Sequence, residues 1–246
     1  MKLNKNKVLF IPRDEEVSLS LPHPRPSKSY VPQWFKDMPT VNPFIPGVTK
    51  PKVHAKHTAK KCMPFMDSLT SGYTQELICD IFINPIDPNK SDTFIEYHWP
   101  ENLQFRPMST RREDSYVENS MPNFPGYYDA EFHWNTFWEP KTPPGYSTFY
   151  FHPANRFDLP FMTHSGIIDT DSFSGTGPLP FIIKKGFSGI IPAGTPIYQM
   201  LFIKRDAWNS EANEYDKKYN KQLTFSINRF FKDRYKKQYW SKKEYN

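Results

Sequence analysis

The sequence predicts a mainly β protein, a single antiparallel barrel or sandwich, and three observations carry that prediction. Aromatic residues make up 17% of the 246, and 25 prolines stand against 10 glycines, a composition suited to a core of large flat side chains joined by rigid loops. Between Thr142 and Arg205 the runs TPPGYSTFYFHP, HSGIIDTDSF and IIPAGTPIYQMLFIKR follow one another, each short and bracketed by Gly or Pro, the pattern of tightly turned strands. Helical spacing of apolar residues occurs only near the C-terminus, and proline is costly inside helices. One domain is expected, because β folds of this length form around a single core. It spans 1–208 and includes a Pro-rich N-terminal arm over 1–58. A basic amphipathic helix over 209–246 packs on it.

Each element follows from its local pattern. KVLFIPRDEEVSLSL, from Lys7 to Leu21, suggests two short strands around a charged turn. The stretch after it is too rich in proline for regular structure, except for a helical turn near Trp34. Its Tyr30, Trp34 and Phe35 predict a packed arm, since exposed aromatics of that size are a liability. TAKKCMPFMD, from Thr58 to Asp67, suggests a turn or short helix. SGYTQELICDIFINP is the best strand of the first half, rich in Ile and closed by Asn84-Pro85. DTFIEYHW is a second, and the loop after it holds a weak strand near Phe105. Tyr127 to Pro140 alternates around Phe132 and Trp134, and Pro143-Pro144-Gly145 turns into YSTFYF. Short strands follow at FMTH, GIID, PFIIK, FSGII and IYQMLFIKR. At the C-terminus Leu223, Ile227, Phe231, Tyr235 and Tyr239 fall four apart, the stripe of an amphipathic helix from about Asn209 to Trp240.

Charge and cysteine content bound the function. The formal net charge of +6 is located in the tail, where Lys217 to Asn246 holds ten basic and two acidic residues. The rest of the chain is near neutral, so a nucleic-acid surface, if there is one, lies on Lys232, Arg234, Lys236 and Lys237. The bland reading of the same residues is a solvated helix face. Cys62 and Cys79 are too few for a disulfide framework and are expected as reduced thiols. The apolar run before Pro12 is too short for a signal peptide or a membrane span, which places the protein in a cytoplasm with no membrane partner.

Phosphate-loop, His-Glu-x-x-His, Cys-x-x-Cys and Gly-x-Ser-x-Gly motifs are all missing. None of the seven histidines is followed two residues later by Asp or Glu, the spacing common in facial-triad iron sites. His54, His57 and Cys62 stand among lysines that oppose a divalent cation, so no metal site is predicted. The candidate site lies further on. His152, Arg156, Asp158, His164, Asp169 and Asp171 fall within twenty residues, at the ends of short strands where turns let side chains converge. Asp169, Asp171 and His164 are the candidate catalytic groups, as general base or proton carrier, with Mg²⁺ as the cofactor if the ligand is a nucleotide. The competing reading is that both aspartates bond turn amides and Arg156 merely neutralises Asp158.

Two resemblances extend this reading. GIIDTDSFSG, from Gly166 to Gly175, followed by PAGTPIYQMLF, is similar to the β-clip of trimeric dUTPases and dCTP deaminases. That resemblance implies a β-clip-like segment with Asp169 as the carboxylate, Phe173 as the aromatic under the sugar and Gln199 in the following strand. His152 to Arg156, with Asn155, would stand in for the phosphate-holding Arg-Ser-Gly motif. The chain also resembles, through YVPQWFKDMP, KKCMPFMDSLTSGY, TPPGYSTFYFHPANRFDLPF and IPAGTPIYQMLFIKRDAW, an uncharacterised family carried by tailed bacteriophages and scattered bacteria. It implies a phage-type source, host cytoplasm or virion, and no assigned activity.

Three functions are therefore expected from different classes. The first is binding of a nucleotide or other small polar ligand around His152, Asn155, Arg156, His164, Asp169, Phe173 and Gln199, with dUTPase-like hydrolysis as its enzymatic extension. The second is a non-catalytic assembly or virion component that binds itself or other phage proteins. The third is a nucleic-acid-associated module using the tail.

Overall fold

A computed structural model describes residues 7–42, 56–90, 92–110, 122–173, 175, 177–228 and 234–246. The first strands are β1 Leu9–Pro12, β2 Arg25–Pro26, β3 Val41–Asn42, β4 Lys56–His57, β5 Tyr73–Glu76, β6 Ile81–Pro85, β7 Ile95–His98 and β8 Met108–Thr110. The remainder are β9 Tyr127–Trp134, β10 Trp138–Lys141, β11 Tyr146–Phe151, β12 Phe161–Thr163, β13 Gly166–Ile168, β14 Leu179–Lys184, β15 Gly189–Ile191 and β16 Pro196–Lys204. Helices are short: α1 Glu15–Ser20, α2 Gln33–Asp37, α3 Met63–Thr70, α4 Lys217–Asn228 and α5 Arg234–Gln238.

The chain divides into two compact units, Met1–Pro26 with Gly72–Arg205, and Ser27–Ser71 with Asp206–Asn246. In the first unit the described residues form fourteen strands in four antiparallel sheets. The largest runs β13-β11-β16-β5-β2 and the next β12-β14-β9-β8. Their inner faces share one core: Phe132, Trp134, Phe161 and Phe181 come from the four-stranded sheet, Tyr150, Tyr198 and Met200 from the five-stranded one. This is the predicted mainly β class in its sandwich-like form, since no sheet closes into a barrel among the described residues. A three-stranded sheet, β15-β6-β7, adds Ile81, Ile83, Ile95 and Ile191 to the same core. Alternation explains the arrangement: on β9 Tyr128, Phe132 and Trp134 face inward, as residues two apart on a strand must.

Three elements differ from the sequence reading. The second strand expected between Lys7 and Leu21 is helix α1, because the Asp14 carboxylate accepts the Val17 amide at 2.9 Å and Glu15 and Glu16 sit in the first turn, where they favour a helix N-terminus. The long strand read from Ser71 to Pro85 is two strands in different sheets. Leu77 leaves the ladder to exchange backbone hydrogen bonds with the Pro192–Pro196 turn, accepting from Gly194 and donating to Thr195, both at 2.8 Å. The helix expected from Asn209 to Trp240 is described as α4 and α5, with no regular structure from Asp206 to Asp216. Asp216 starts α4 by accepting the amides of Lys218 and Tyr219.

The second unit is held by side chains from both of its segments. Asp67 on α3 accepts from Trp240 Nε1 at 2.9 Å and pairs with Lys243 at 2.8 Å. Phe35 and Phe65 stack with centroids 5.7 Å apart, and Lys60 Nζ donates to the carbonyls of Phe35 and Lys36 at 2.7 Å. Both cysteines are free thiols, and burial pushes that of Cys79 up to about 11.

Candidate functional site

The six polar residues read as one cluster fall into three groups in the first unit. Asp169 and Asp171 belong to a turn that follows β13, not to a strand. The Phe173 amide closes that turn on the Asp169 carbonyl at 2.8 Å, leaving the Phe173 ring exposed. Asp169 accepts from Ser147 Oγ at 2.7 Å, and Asp171 accepts from the Gly145 amide at 2.8 Å. Arg205, just after β16, lies between the two carboxylates. Its Nη1 donates to Asp171 Oδ1 at 2.9 Å and stands 3.3 Å from Asp169 Oδ1, and its Nη2 makes a second contact with Asp171. The guanidinium holds the Asp171 carboxyl well below the usual carboxylate range. Behind them Thr142, Thr148 and Thr170 form a buried hydroxyl chain with Oγ1–Oγ1 distances of 2.9 and 2.7 Å. The whole is a clasp that fastens the turn after β13 to the start of β11 and the end of β16.

The clasp yields a pH-dependent prediction. A carboxyl whose folded value is depressed contributes stability above its unfolded value, near 3.8, and that contribution fades as pH falls toward the folded value. Asp171→Asn keeps an acceptor for Gly145 and removes the charge. We expect it to lower stability at neutral pH by about 1 kcal/mol, given the half-exposed arginine. The gap to the parent should close below pH 4 in chemical denaturation.

His152 and its neighbours stand at the other end of β11. Ser147 and His152 are five positions apart, which at about 3.4 Å per residue separates the two groups by roughly 17 Å. His152 Nε2 contacts the Arg156 carbonyl at 3.1 Å, and its Nδ1 accepts the Thr163 amide at 3.3 Å. Burial lowers the value of this histidine, which suits the neutral ring that such acceptance needs. Gln199 Oε1 accepts the Ala154 amide at 2.9 Å, and Asn155 takes φ 57°, a left-handed conformation that Asn tolerates better than most residues. Together they shape the loop that presents Arg156, whose Nε and Nη2 both bond Asp158 at 2.8–3.2 Å. The Arg156 side chain is only 14% exposed, that of Asp158 42%.

His164 forms the third group. Its ring faces away from the core, near Phe124 at 5.9 Å, whereas the His152 ring packs on core Phe161 at 5.7 Å. The imidazoles and the aspartates therefore do not share a hollow. Of the tail cations, Lys236 and Lys237 are exposed on α5, Lys232 lies outside the described residues, and the Arg234 backbone belongs to α5.

An open groove of about 500 Å³ adjoins the second group. One wall is Arg156, Asp158, Leu159 and Pro160; the other is Phe187 with Ile190 to Pro196. Asp80 Oδ1 fixes the far wall by accepting the Ala193 amide at 2.7 Å. The groove is apolar apart from Arg156, Asp158 and the Thr195 turn. Sequence reasoning named Arg156 but missed Ile190 to Pro196 as its opposite wall, and missed Arg205 as the partner of both aspartates. Only strand order could have revealed either pairing, since Arg205 is 34 residues from Asp171.

The fold and these groups define a mainly β protein with a clasped turn and a separate open groove. Protein-family models, curated proteins and solved structures were compared with the chain, and nothing matches. Arg205 occupies the place between the aspartates that a Mg²⁺ ion would take, so this turn is a poor cation site. No helix among the described residues is long and apolar enough to cross a membrane.

Proposed function

We propose that the protein is a binding module whose groove between Arg156 and the Ile190–Pro196 wall takes a small ligand with a polar head and a flat apolar body, nucleotides being the first class to test. The observation that carries this reading is the arrangement of the groove itself: a largely buried arginine held bidentately by an exposed aspartate at one side of an otherwise apolar cleft of about 500 Å³, within the size range of small-ligand sites. The arginine is pre-organised, so little of its freedom is lost on meeting a planar polar group. Leu159, Phe187 and Ile190 supply apolar surface beside it. His152, Asn155 and Gln199 then act by shaping the loop, and Asp169 and Asp171 by holding the fold, with no hydrolytic step assigned to them.

The test is a thermal-shift screen of nucleosides and nucleotides on the whole chain, followed by calorimetric titration. We expect Arg156→Ala to weaken the best binder at least tenfold, about 1.4 kcal/mol, and Asp169→Asn to leave it unchanged. Equal affinity in the Arg156 variant, or loss in the Asp169 variant, would move the site away from the groove.

A second reading rests on exposed apolar side chains of the same unit. Phe82 and Ile190 are cross-strand partners on β6 and β15, Phe94 and Ile86 lie close by, and all four are exposed. A surface of this kind suits a protein partner, which agrees with a phage assembly role. Size-exclusion chromatography of Phe82→Ser against the parent separates the readings, because a small-ligand site predicts no change of oligomeric state.

A further inference from the structure

Two segments far apart in the sequence make one basic body. Ser27–Ser71 carries seven basic and two acidic residues and Asp206–Asn246 ten and six, so the compact second unit has a formal charge of +9 while the first has −3. Four of the unit's eight acids, Asp206, Glu211, Glu214 and Asp216, stand in the irregular stretch before α4. The rest of the unit, 27–71 with 217–246, sets 17 cations against four acids. Two of those four are already matched within it: Asp67 pairs with Lys243 at 2.8 Å and Glu244 with Lys242 at 2.7 Å. By sequence alone the basic charge belongs to the tail; the fold joins Lys28, Lys36, Lys60 and Lys61 to it.

Contacts between the segments bring the two sets of cations together. Lys28 Nζ donates to the Tyr245 carbonyl at 3.2 Å, and Lys242 and Lys28 both act on Glu244, holding its carboxyl below the ordinary value. Lys243 stands over the Trp240 ring at 5.8 Å, and both side chains meet Asp67 on α3. Lys28, Lys36, Lys236, Lys237 and Lys242 are exposed. Like charges gathered this densely repel one another, and a polyanion relieves that cost while it releases its own counterions.

Aromatic faces accompany the cations. Trp34 is 37% exposed yet held by the rings of Phe35 and Phe65 at 5.8 and 6.3 Å, and Tyr219 and Tyr239 are 61% and 59% exposed. Exposed rings among lysines give the bases of an unpaired strand a surface to stack on, which a duplex, its bases already stacked, does not use. Fifteen of the 17 basic residues are lysines, point charges that follow phosphates without the bidentate base-edge contacts that arginine makes.

We infer that the second unit binds single-stranded nucleic acid without sequence preference, with lysines of both segments on the phosphates and Trp34 and Tyr239 on the bases.

The experiment is fluorescence anisotropy of the full chain with a labelled single strand of about 20 nucleotides, between about 50 and about 200 mM salt. The logarithm of the binding constant should fall linearly with that of salt, by about 0.7 for each phosphate contacted. A duplex of equal length, and vesicles of phosphatidylserine and phosphatidylcholine, should bind more weakly. Lys28→Gln with Lys36→Gln and, separately, Lys236→Gln with Lys237→Gln should each weaken binding about tenfold and lower the salt slope by about 1.4. Tyr239→Ala should weaken it at least about fivefold with the slope unchanged. Lys90→Gln with Lys185→Gln takes the same charge from the first unit and should change neither. All of these side chains are exposed, so thermal midpoints should stay at the parent's. Absence of binding by the parent, tighter binding of the duplex or the vesicles, unchanged affinity in either lysine pair of the second unit or in Tyr239→Ala, or loss in the Lys90 and Lys185 variant would each overturn the assignment.

Discussion

Replacing Trp134 with alanine should cost about 3–5 kcal/mol of folding stability, the largest loss expected from any single side chain of the sandwich. The indole is fully buried, lies flat on Phe181 with centroids 3.6 Å apart and meets Phe161 edge-on at 5.0 Å. Its Nε1 donates to Thr163 Oγ1 at 3.0 Å, and that hydroxyl in turn donates to the Ile197 carbonyl at 2.6 Å. Truncation therefore opens a cavity between the two main sheets and cuts a buried chain of hydrogen bonds that crosses them. Trp134→Phe separates the two contributions. It keeps most of the aromatic volume and loses the donor, for an expected cost of about 1–3 kcal/mol. Urea unfolding of both variants checks the ranking; equal losses would show that the hydrogen bond, not the packing, dominates.

Gly72→Ala should be nearly as damaging, at about 2–5 kcal/mol, from a left-handed penalty of about 1–2 and the cost of overpacking. The glycine has φ +77°, and a Cβ there would stand 1.9 Å from the Met200 carbonyl oxygen. That oxygen belongs to the backbone of β16 and cannot swing aside as a side-chain tip would. Gly126, Gly145 and Gly194 also have positive φ but open space around the missing Cβ, so alanine at any of them should carry only the conformational part. The comparison of Gly72→Ala with Gly194→Ala by thermal unfolding measures the clash directly. Equal destabilisation would mean that β16 yields at no cost.

The sandwich was readable because its strands alternate and its turns are spelled by Gly and Pro. Phe132 and Trp134, and the run from Tyr146 to Phe151, fall on the strands their spacing predicts. What failed was local competition between equally plausible elements. Val17, Leu19 and Leu21 alternate like a strand, yet Asp14 and the acidic first turn make the stretch helical. Ser71 to Pro85 reads as one strand because nothing in its composition says that Leu77 will pair with a turn more than a hundred residues away. The polar residues were less legible for the same reason. Proximity in sequence grouped His152, His164, Asp169 and Asp171, whereas β11 has Ser147 near its start and His152 just past its end and so holds their neighbours apart. Arg205 follows another strand, and pairing order alone brings it to the two aspartates.

The two-segment make-up of the second unit bears on how the chain matures. Asp67 must wait for Trp240 and Lys243, which leave the ribosome after every strand of the sandwich. Ser27 to Ser71 thus stays without its counterpart while the whole sandwich is being made, with Asp67 unpaired, and becomes a natural client for holding chaperones over that interval.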